Sequence, residues 1–400
     1  MNNYCDNCGK IFKQLSYLKK HKERKYPCKK KEKILETIDK LVDSKIKNLI
    51  FNLEKSQINN MKKELGQFYT KNYDYILQNI NIPQNTKNII EPFAGEGDLI
   101  EYINLSGDKY NIKMYDIDPK KEGIVKRDTL LNPPEYKDQF VITNPPYLAR
   151  NKSTNKEIYD KYNVNDLYKC FIVNLIDVPC AGGILIIPLN FICSIRKSDI
   201  LLRKRFLLIY SIIHINIFEE PVFSDTSCTV CSLLFILGNT DNNINIDIYP
   251  SKINIKTKLT KDNNYTIGGD IYNLLKNDKY KMKRLTTKNL SEKNTNIVIG
   301  CIDSNSKNMI KAEYIEDDSK LFIDNTPKCS ARGYLTLIIT PSIDSERQKN
   351  LVNSFNEYLK ENRKKYNSLF LANYRESTDI ARKRISFDLV YKIIGYLIDE

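Results

Sequence analysis

Between residues 72 and 237 the chain alternates two hydrophobic patterns. Short apolar, β-branched runs bounded by Gly, Pro, Asn or Asp read as buried strands: Asn88–Ile90, Ile112–Tyr115, Val141–Ile142, Gly182–Pro188, Ile212–Phe218 and Cys228–Leu237. Before and between them lie stretches with helical spacing: Asn72–Ile80, Asp98–Asn104, Asn165–Val178 and the segment carrying Arg203–Leu207. Strands alternating with helices predict an α/β domain built on a largely parallel sheet. Upstream, Leu35, Ile38, Leu41, Val42, Ile46, Leu49, Ile50 and Leu53 recur at three- and four-residue steps. That spacing predicts an amphipathic helix over 31–64, able to pack on a neighbouring domain or on a second copy. Downstream, Asn-rich loops separate strands such as Thr295–Gly300 and Tyr334–Thr340 from helices over Ser345–Lys364 and Phe387–Leu397.

Composition narrows the class. Of 400 residues, 41% are hydrophobic and 28% charged, which suits a globular chain of two to three domains. No run reaches the roughly 18 apolar residues of a membrane span, and the polar, cysteine-bearing start is unlike a signal peptide. These features predict an intracellular protein, from a prokaryote or a virus-infected cell, without a membrane partner. The net charge of +14 favours a polyanionic partner, nucleic acid first. Residues 1–64 hold 17 Lys+Arg against 8 Asp+Glu, so most of the excess lies there.

The candidate chemistry centres on Phe140-Val141-Ile142-Thr143-Asn144-Pro145-Pro146-Tyr147. Two prolines cannot donate to a sheet ladder, so the strand stops and the chain turns stiffly. Open α/β sheets bind ligands at such carboxyl ends. Asn144 offers a carbonyl acceptor and Tyr147 an aromatic face, which suit a planar ring with an exocyclic amine. Earlier, a strand runs into Glu91-Pro92-Phe93-Ala94-Gly95-Glu96-Gly97-Asp98, whose glycines let a ligand approach the backbone. The next strand ends in Asp116-Ile117-Asp118-Pro119, and a carboxylate there is a usual partner for ribose hydroxyls. A dinucleotide site would want a third glycine where Ile100 stands. Glu91, Glu96 and Asp98 would also repel a pyrophosphate. The same charges tolerate S-adenosylmethionine, which carries a sulfonium and an ammonium and no phosphate.

At the amino terminus, Cys5-x2-Cys8-x12-His21-x6-Cys28 has metal-ligand spacing, with Phe12 and Leu18 where a ββα finger needs its core. It resembles C2H2-type zinc fingers, with Cys28 replacing the last His and a longer final gap. The predicted helix runs from about Leu15 to Lys25 and would present Gln14, Tyr17 and Lys20. DNA and protein both remain open as its contact. The other cysteines, including Cys228-x2-Cys231 within a strand, read as reduced core thiols, and His214 as a structural histidine.

Taken in order, Gly66-Gln67-Phe68-Tyr69-Thr70, Glu91-Pro92-Phe93-Ala94-Gly95-Glu96-Gly97, Asp116-Ile117-Asp118-Pro119, Arg127-Asp128-Thr129-Leu130 and Asn144-Pro145-Pro146-Tyr147 resemble the gamma-class DNA amino-methyltransferases. The resemblance covers about residues 65–240. It implies a Rossmann-like S-adenosylmethionine-dependent fold and methylation of adenine N6 in DNA. It also implies cofactor contacts from Phe68, Tyr69, Thr70, Glu91, Pro92, Ala94, Gly95, Gly97, Asp116, Ile117, Asp128, Thr129 and Asn144. Asn144 and Pro145 would accept the amine hydrogens within Asn144-Pro145-Pro146-Tyr147, and Tyr147 and Phe223 would sandwich the base. The implied organisation is a zinc finger over 1–30, a basic helical linker over 31–64, a catalytic domain over 65–240 and an α+β target-recognition region over 241–400. In that last region, residues 360–384 carry 8 Lys+Arg against 3 Asp+Glu, interleaved with Tyr366, Phe370 and Tyr374. Cytosine N4, RNA and protein glutamine are rival substrates. A zinc-finger DNA-binding protein on an inactive methyltransferase fold is the rival from another class. A separate restriction nuclease is a partner the resemblance leaves open, and no nuclease motif stands in this chain.

Overall fold

A computed structural model describes residues 3–28, 45, 70, 72–105, 107, 109–223, 228–238, 243–325, 333–376 and 381–399. The predicted helix over 31–64 lies outside the described residues except Lys45, as do Phe68 and Tyr69. The chain divides into two compact units, Met1–Leu65 and Gly66–Glu400.

In the first unit, an isolated antiparallel bridge joins Tyr4 to Ile11, and a helix, α1, follows at Leu15–Lys22. Leu18 and His21 are its buried residues. The helix is shorter than its predicted end at Lys25, closing with Glu23 N–H donating to Lys19 O at 3.1 Å.

The second unit is organised on a nine-stranded sheet. Its strands are β1 (Asn88–Glu91), β2 (Asn111–Asp116), β3 (Val125–Lys126), β4 (Phe140–Thr143), β5 (Gly182–Pro188), β6 (Tyr210–Phe218), β7 (Val230–Leu237), β8 (Ile244–Tyr249) and β9 (Ile253–Thr257). Their spatial order is β3-β2-β1-β4-β5-β7-β6-β8-β9. Strands β3, β2, β1, β4 and β5 pair in parallel. Strand β7 runs antiparallel to both β5 and β6. This mixed α/β sheet, with order 3-2-1-4-5-7-6 and one reversed strand, has the Rossmann-like layout that the resemblance in the sequence implies. The chain reverses direction across the sheet between β1 and β4, and ligands of doubly wound sheets sit outside that switch point.

The hydrophobic pattern explains the layering. Strands β4 and β5 are buried at every position, as expected for central strands covered on both faces. Helix Leu167–Asp177 is buried from Leu167 through Ile176, with the Phe171 ring 5.0 Å from Phe93 and 6.1 Å from Tyr136. A side chain at Gly183 would put its Cβ 2.4 Å from Val141 O and 2.9 Å from the Phe235 ring, so only glycine lets β4, β5 and β7 close up there. Helix Tyr73–Ile76 is shorter than predicted: Leu77 closes it with its N–H on Tyr73 O, and Asn79 turns left-handed (φ 61°) beyond.

The sheet does not stop at residue 240. Strand β8 adds in parallel to β6, and β9 folds back on it. Beyond lies a four-stranded antiparallel sheet in the order β10 (Lys281–Arg284), β13 (Tyr334–Thr340), β11 (Ile297–Gly300), β12 (Lys311–Tyr314). Helix Ser345–Tyr366 lies on it. Asn356 holds both the N–H (2.8 Å) and the C=O (3.0 Å) of Ala312, and Asp344 caps the helix by accepting from Arg347 N–H. A hairpin, β14 (Ala372–Glu376) with β15 (Ala381–Arg384), and helix Phe387–Leu397 complete the chain.

Candidate active site and amino-terminal metal cluster

Three neighbouring strands deliver the candidate residues to one edge. Strand β1 ends at Glu91, β2 at Asp116, and β4 runs into Asn144. After Glu91 the backbone turns through Gly95 (φ 53°) and Gly97 (φ 79°), a conformation that favours glycine. Asp116, 3% exposed, fixes that turn. One of its oxygens accepts from Gly95 N–H at 2.8 Å and the other from Asp118 N–H at 2.8 Å. Ala94 N–H donates to Tyr115 O at 2.9 Å, so the glycine turn is tied to the end of β2 twice.

Other cofactor candidates have mixed duties. Thr129 is buried, and its hydroxyl donates to Pro92 O at 2.9 Å, so it braces the turn from beneath. Asp128 is half-buried, with Oδ1 accepting from Leu130 and Leu131 N–H at 3.1 and 3.0 Å, while Ile117 is exposed. Glu91 is 1% exposed. Its Oε1 accepts from Thr143 O–H (2.5 Å) and Phe93 N–H (3.2 Å), and its Oε2 has no partner. Burial pushes its carboxyl up to about 8, with the Asp116 charge adding to the rise. At neutral pH Glu91 is therefore largely neutral. The negative character expected of the turn comes from Glu96, Asp98 and Asp116.

Asn144 is also buried. Its amide lies between Thr70 Oγ1, at 3.0 Å, and the Tyr147 hydroxyl. That hydroxyl also reaches Ile186 O at 2.5 Å, on the adjoining strand β5. Thr70, expected as a cofactor contact, thus touches the candidate catalytic amide. The Tyr147 ring meets Tyr168 edge-on at 6.2 Å, and both Tyr147 and Phe223 are buried.

Sequence reasoning missed the groups that hold the loop after Tyr147. Asp166 Oδ1 accepts from Leu148 N–H at 3.1 Å, and Tyr159 O–H donates to Leu148 O at 3.0 Å. Burial pushes the Asp166 carboxyl up to about 6. Lys169 and Asp199, 7% and 6% exposed, pair at 2.6 Å, and Ser194 donates to the same carboxylate at 2.6 Å. Arg203 is fully buried and donates to Phe191 O, Ser194 O and Tyr265 O at 2.8, 2.6 and 2.7 Å. No local pattern marks these residues, because each acts through a partner at least nine positions away or on another element.

The expected aromatic surface in 360–384 is corrected. Phe370 is fully buried, and Tyr366 is 9% exposed with its hydroxyl donating to Asp270 at 2.9 Å. Both belong to the core and cannot stack on a base. The Tyr374 side chain lies outside the described residues. Cys231 is buried in β7 against Ile187 O, and His214 is paired with Asn216 (2.9 Å) and Asp247 (3.3 Å), as structural readings require.

In the first unit, the ligand atoms of Cys5, Cys8, His21 and Cys28 all lie within 4.8 Å of one another. Cys5 Sγ is 3.6 Å from Cys28 Sγ, and Cys8 Sγ is 3.3 Å from His21 Nε2. Around one tetrahedral zinc, bond lengths of about 2.0–2.3 Å place neighbouring donors roughly 3.5–3.8 Å apart, so the donor set fits. The Cys8 backbone holds the Cys5 thiol below its ordinary value, while burial raises that of Cys28. Gln14, Tyr17 and Lys20 are exposed.

No family model matches the chain, and no curated protein does. Solved structures overlap with it. A type I restriction-modification system structure is 15% identical, covering 49% of this chain and 47% of that one (TM-score 0.39). The methyltransferase subunit of a type I restriction-modification system from Streptococcus thermophilus is 13% identical, covering 46% and 47% (TM-score 0.34). The EcoKI M protein is 16% identical, covering 48% and 50% (TM-score 0.33). The chain spans about half the length of these structures.

Proposed function

We propose that the chain is an S-adenosylmethionine-dependent DNA methyltransferase acting on the N6 amine of adenine. The observation that carries this reading is the placement of the Asn144 amide at the carboxyl end of β4, one strand from the Gly95–Gly97 turn, at the switch point of the sheet. The cofactor supplies an electrophilic methyl group. The backbone of Pro92–Gly97 and the carboxylate of Asp116 would hold it, with Asp128 toward its adenine.

A target amine inside a duplex is out of reach, so the base must be turned out of the stack. Asn144 Oδ1 and the Pro145 carbonyl would accept the two amine hydrogens. That draws the nitrogen lone pair out of conjugation and aims it along the line of displacement. The stiff Pro145-Pro146 backbone makes this a matter of positioning and fixed dipoles. Tyr147 and Phe223 would take the base between them. Since both are buried in the free protein, base entry has to displace what covers them.

In this reading Cys5, Cys8, His21 and Cys28 hold one structural zinc over 1–30, 31–64 is a basic linker, and the region after the catalytic core recognises the target. Four protein ligands leave no open coordination position, so the metal is structural. A separate restriction nuclease would be the partner of an intracellular enzyme of this kind. The test is incubation with DNA and methyl-labelled cofactor, followed by nucleoside analysis. N6-methyladenine supports the reading. Label in cytosine, in RNA only or in protein only replaces it with a rival.

A further inference from the structure

The third and fourth ligands of the amino-terminal cluster are delivered in different ways. His21 rides on α1, is 5% exposed and has the Phe12 ring 4.9 Å away, so the helix and the small core place it. Cys28 lies beyond the end of α1 at Lys22, on chain that is neither helix nor strand. The long final gap therefore takes Cys28 out of the helix's reach. Asn7 holds it instead. Its Nδ2 donates to the Cys28 main-chain O at 2.6 Å and lies 3.3 Å from Cys28 Sγ, and its two hydrogens can serve both acceptors. The amide has no choice of orientation, because a carbonyl oxygen only accepts and must be met by nitrogen. Asn7 itself stands on a closed turn. Gly9 N–H donates to Cys5 O at 2.7 Å, and Cys5 N–H to Lys10 O at 2.9 Å. The other residue between Cys5 and Cys8 reaches elsewhere: Asp6 pairs with Lys22 at 2.9 Å on the exposed side.

We propose that Asn7 is the positioning residue for the fourth metal ligand. Its amide clamps Cys28 by main chain and sulfur, and so does for Cys28 what α1 does for His21. This rests on the reading of Cys5, Cys8, His21 and Cys28 as a zinc site. Three thiolates outweigh the charge of the zinc ion, so an N–H directed at one sulfur also offsets part of the excess. Groups that orient a metal ligand through a hydrogen bond typically contribute about 10- to 100-fold in metal affinity.

Zinc and cobalt(II) affinities of the full chain, measured by competition with a chromophoric chelator, test this. Asn7→Ala should weaken both by about 10- to 100-fold, and Asn7→Asp, which has no N–H to give, should do no better. Asp6→Ala, on the same turn, should stay within about threefold, because its ion pair is exposed. In a Cys28→Ala background, Asn7→Ala should change affinity by less than about twofold, since its partner is gone. Equal losses in both backgrounds would make Asn7 a brace of the fold and overturn the proposal. So would a loss below about threefold in the parent background. In the cobalt-loaded protein, the thiolate-to-metal charge-transfer band should move to lower energy in Asn7→Ala, because losing the donor raises the sulfur lone pair. An unmoved band would overturn the proposal. A parent chain whose cobalt spectrum lacks tetrahedral thiolate bands would remove the zinc site and the proposal with it, a failure visible without any Asn7 variant.

Discussion

Replacing Asp116 with Asn is the sharpest probe of the cofactor side. The carboxylate is buried and accepts two main-chain hydrogen bonds, each 2.8 Å, from Gly95 and Asp118. An amide keeps one acceptor oxygen and turns an NH2 group toward the other N–H. One charge-assisted hydrogen bond is therefore lost and one buried donor is left facing a donor. A hydrogen bond to a charged group contributes about 1.5–3 kcal/mol. If the same carboxylate holds the ribose, that loss appears in binding as a cofactor Kd weaker by about 10- to 150-fold. The free protein should also lose about 1–3 kcal/mol of stability through the loosened Gly95 turn. Titration calorimetry reads the first quantity and urea denaturation the second. An unchanged Kd with reduced stability would make Asp116 a turn brace only. If neither quantity changes, the hydrogen bonds assigned to it do not matter.

Other outcomes follow from the same geometry. Asn144→Ala should abolish methyl transfer while cofactor binding survives, and turnover above a small fraction of the parent's would remove Asn144 from the mechanism. Glu91 should make stability pH-dependent: its folded-state carboxyl is raised to about 8, so its contribution is complete below about pH 4.5 and is lost as pH rises through 8. The slope should approach 1.4 kcal/mol per pH unit in that window and vanish in Glu91→Gln, and an unchanged slope in the variant would refute the assignment. Metal analysis should find one zinc per chain. Deleting residues 1–30, which carry 9 Lys+Arg against 2 Asp+Glu, should weaken DNA binding and flatten its salt dependence while sparing turnover at saturating DNA. Lost turnover there would mean the segment supports the catalytic fold.

Local pattern made the central layer legible. Gly182–Pro188 and Phe387–Leu397 occupy the spans their hydrophobic runs indicate, because one element alone decides where each run begins and ends. What pattern could not reveal were pairings between distant segments. Strand β10 finds its partner β13 more than fifty residues later, and β8 and β9 extend the nine-stranded sheet past the boundary that motif coverage suggested. Basic and aromatic residues alternating near Phe370 look like a binding surface in one dimension. In three dimensions the aromatic members fill the core. Spacing does place Asn144, Asp116 and the glycine turn at neighbouring strand ends, because each motif follows its own strand directly. The contact between Thr70 and Asn144 spans seventy-four positions and has no signature in either motif.

The central claim is tested most directly by sequencing the DNA of cells that express the intact chain, with a readout of modified bases. The account predicts N6-methyladenine at one recurrent sequence context, absent from cells expressing Asn144→Ala. Unmodified DNA from cells in which the purified protein proves folded and cofactor-bound would contradict it.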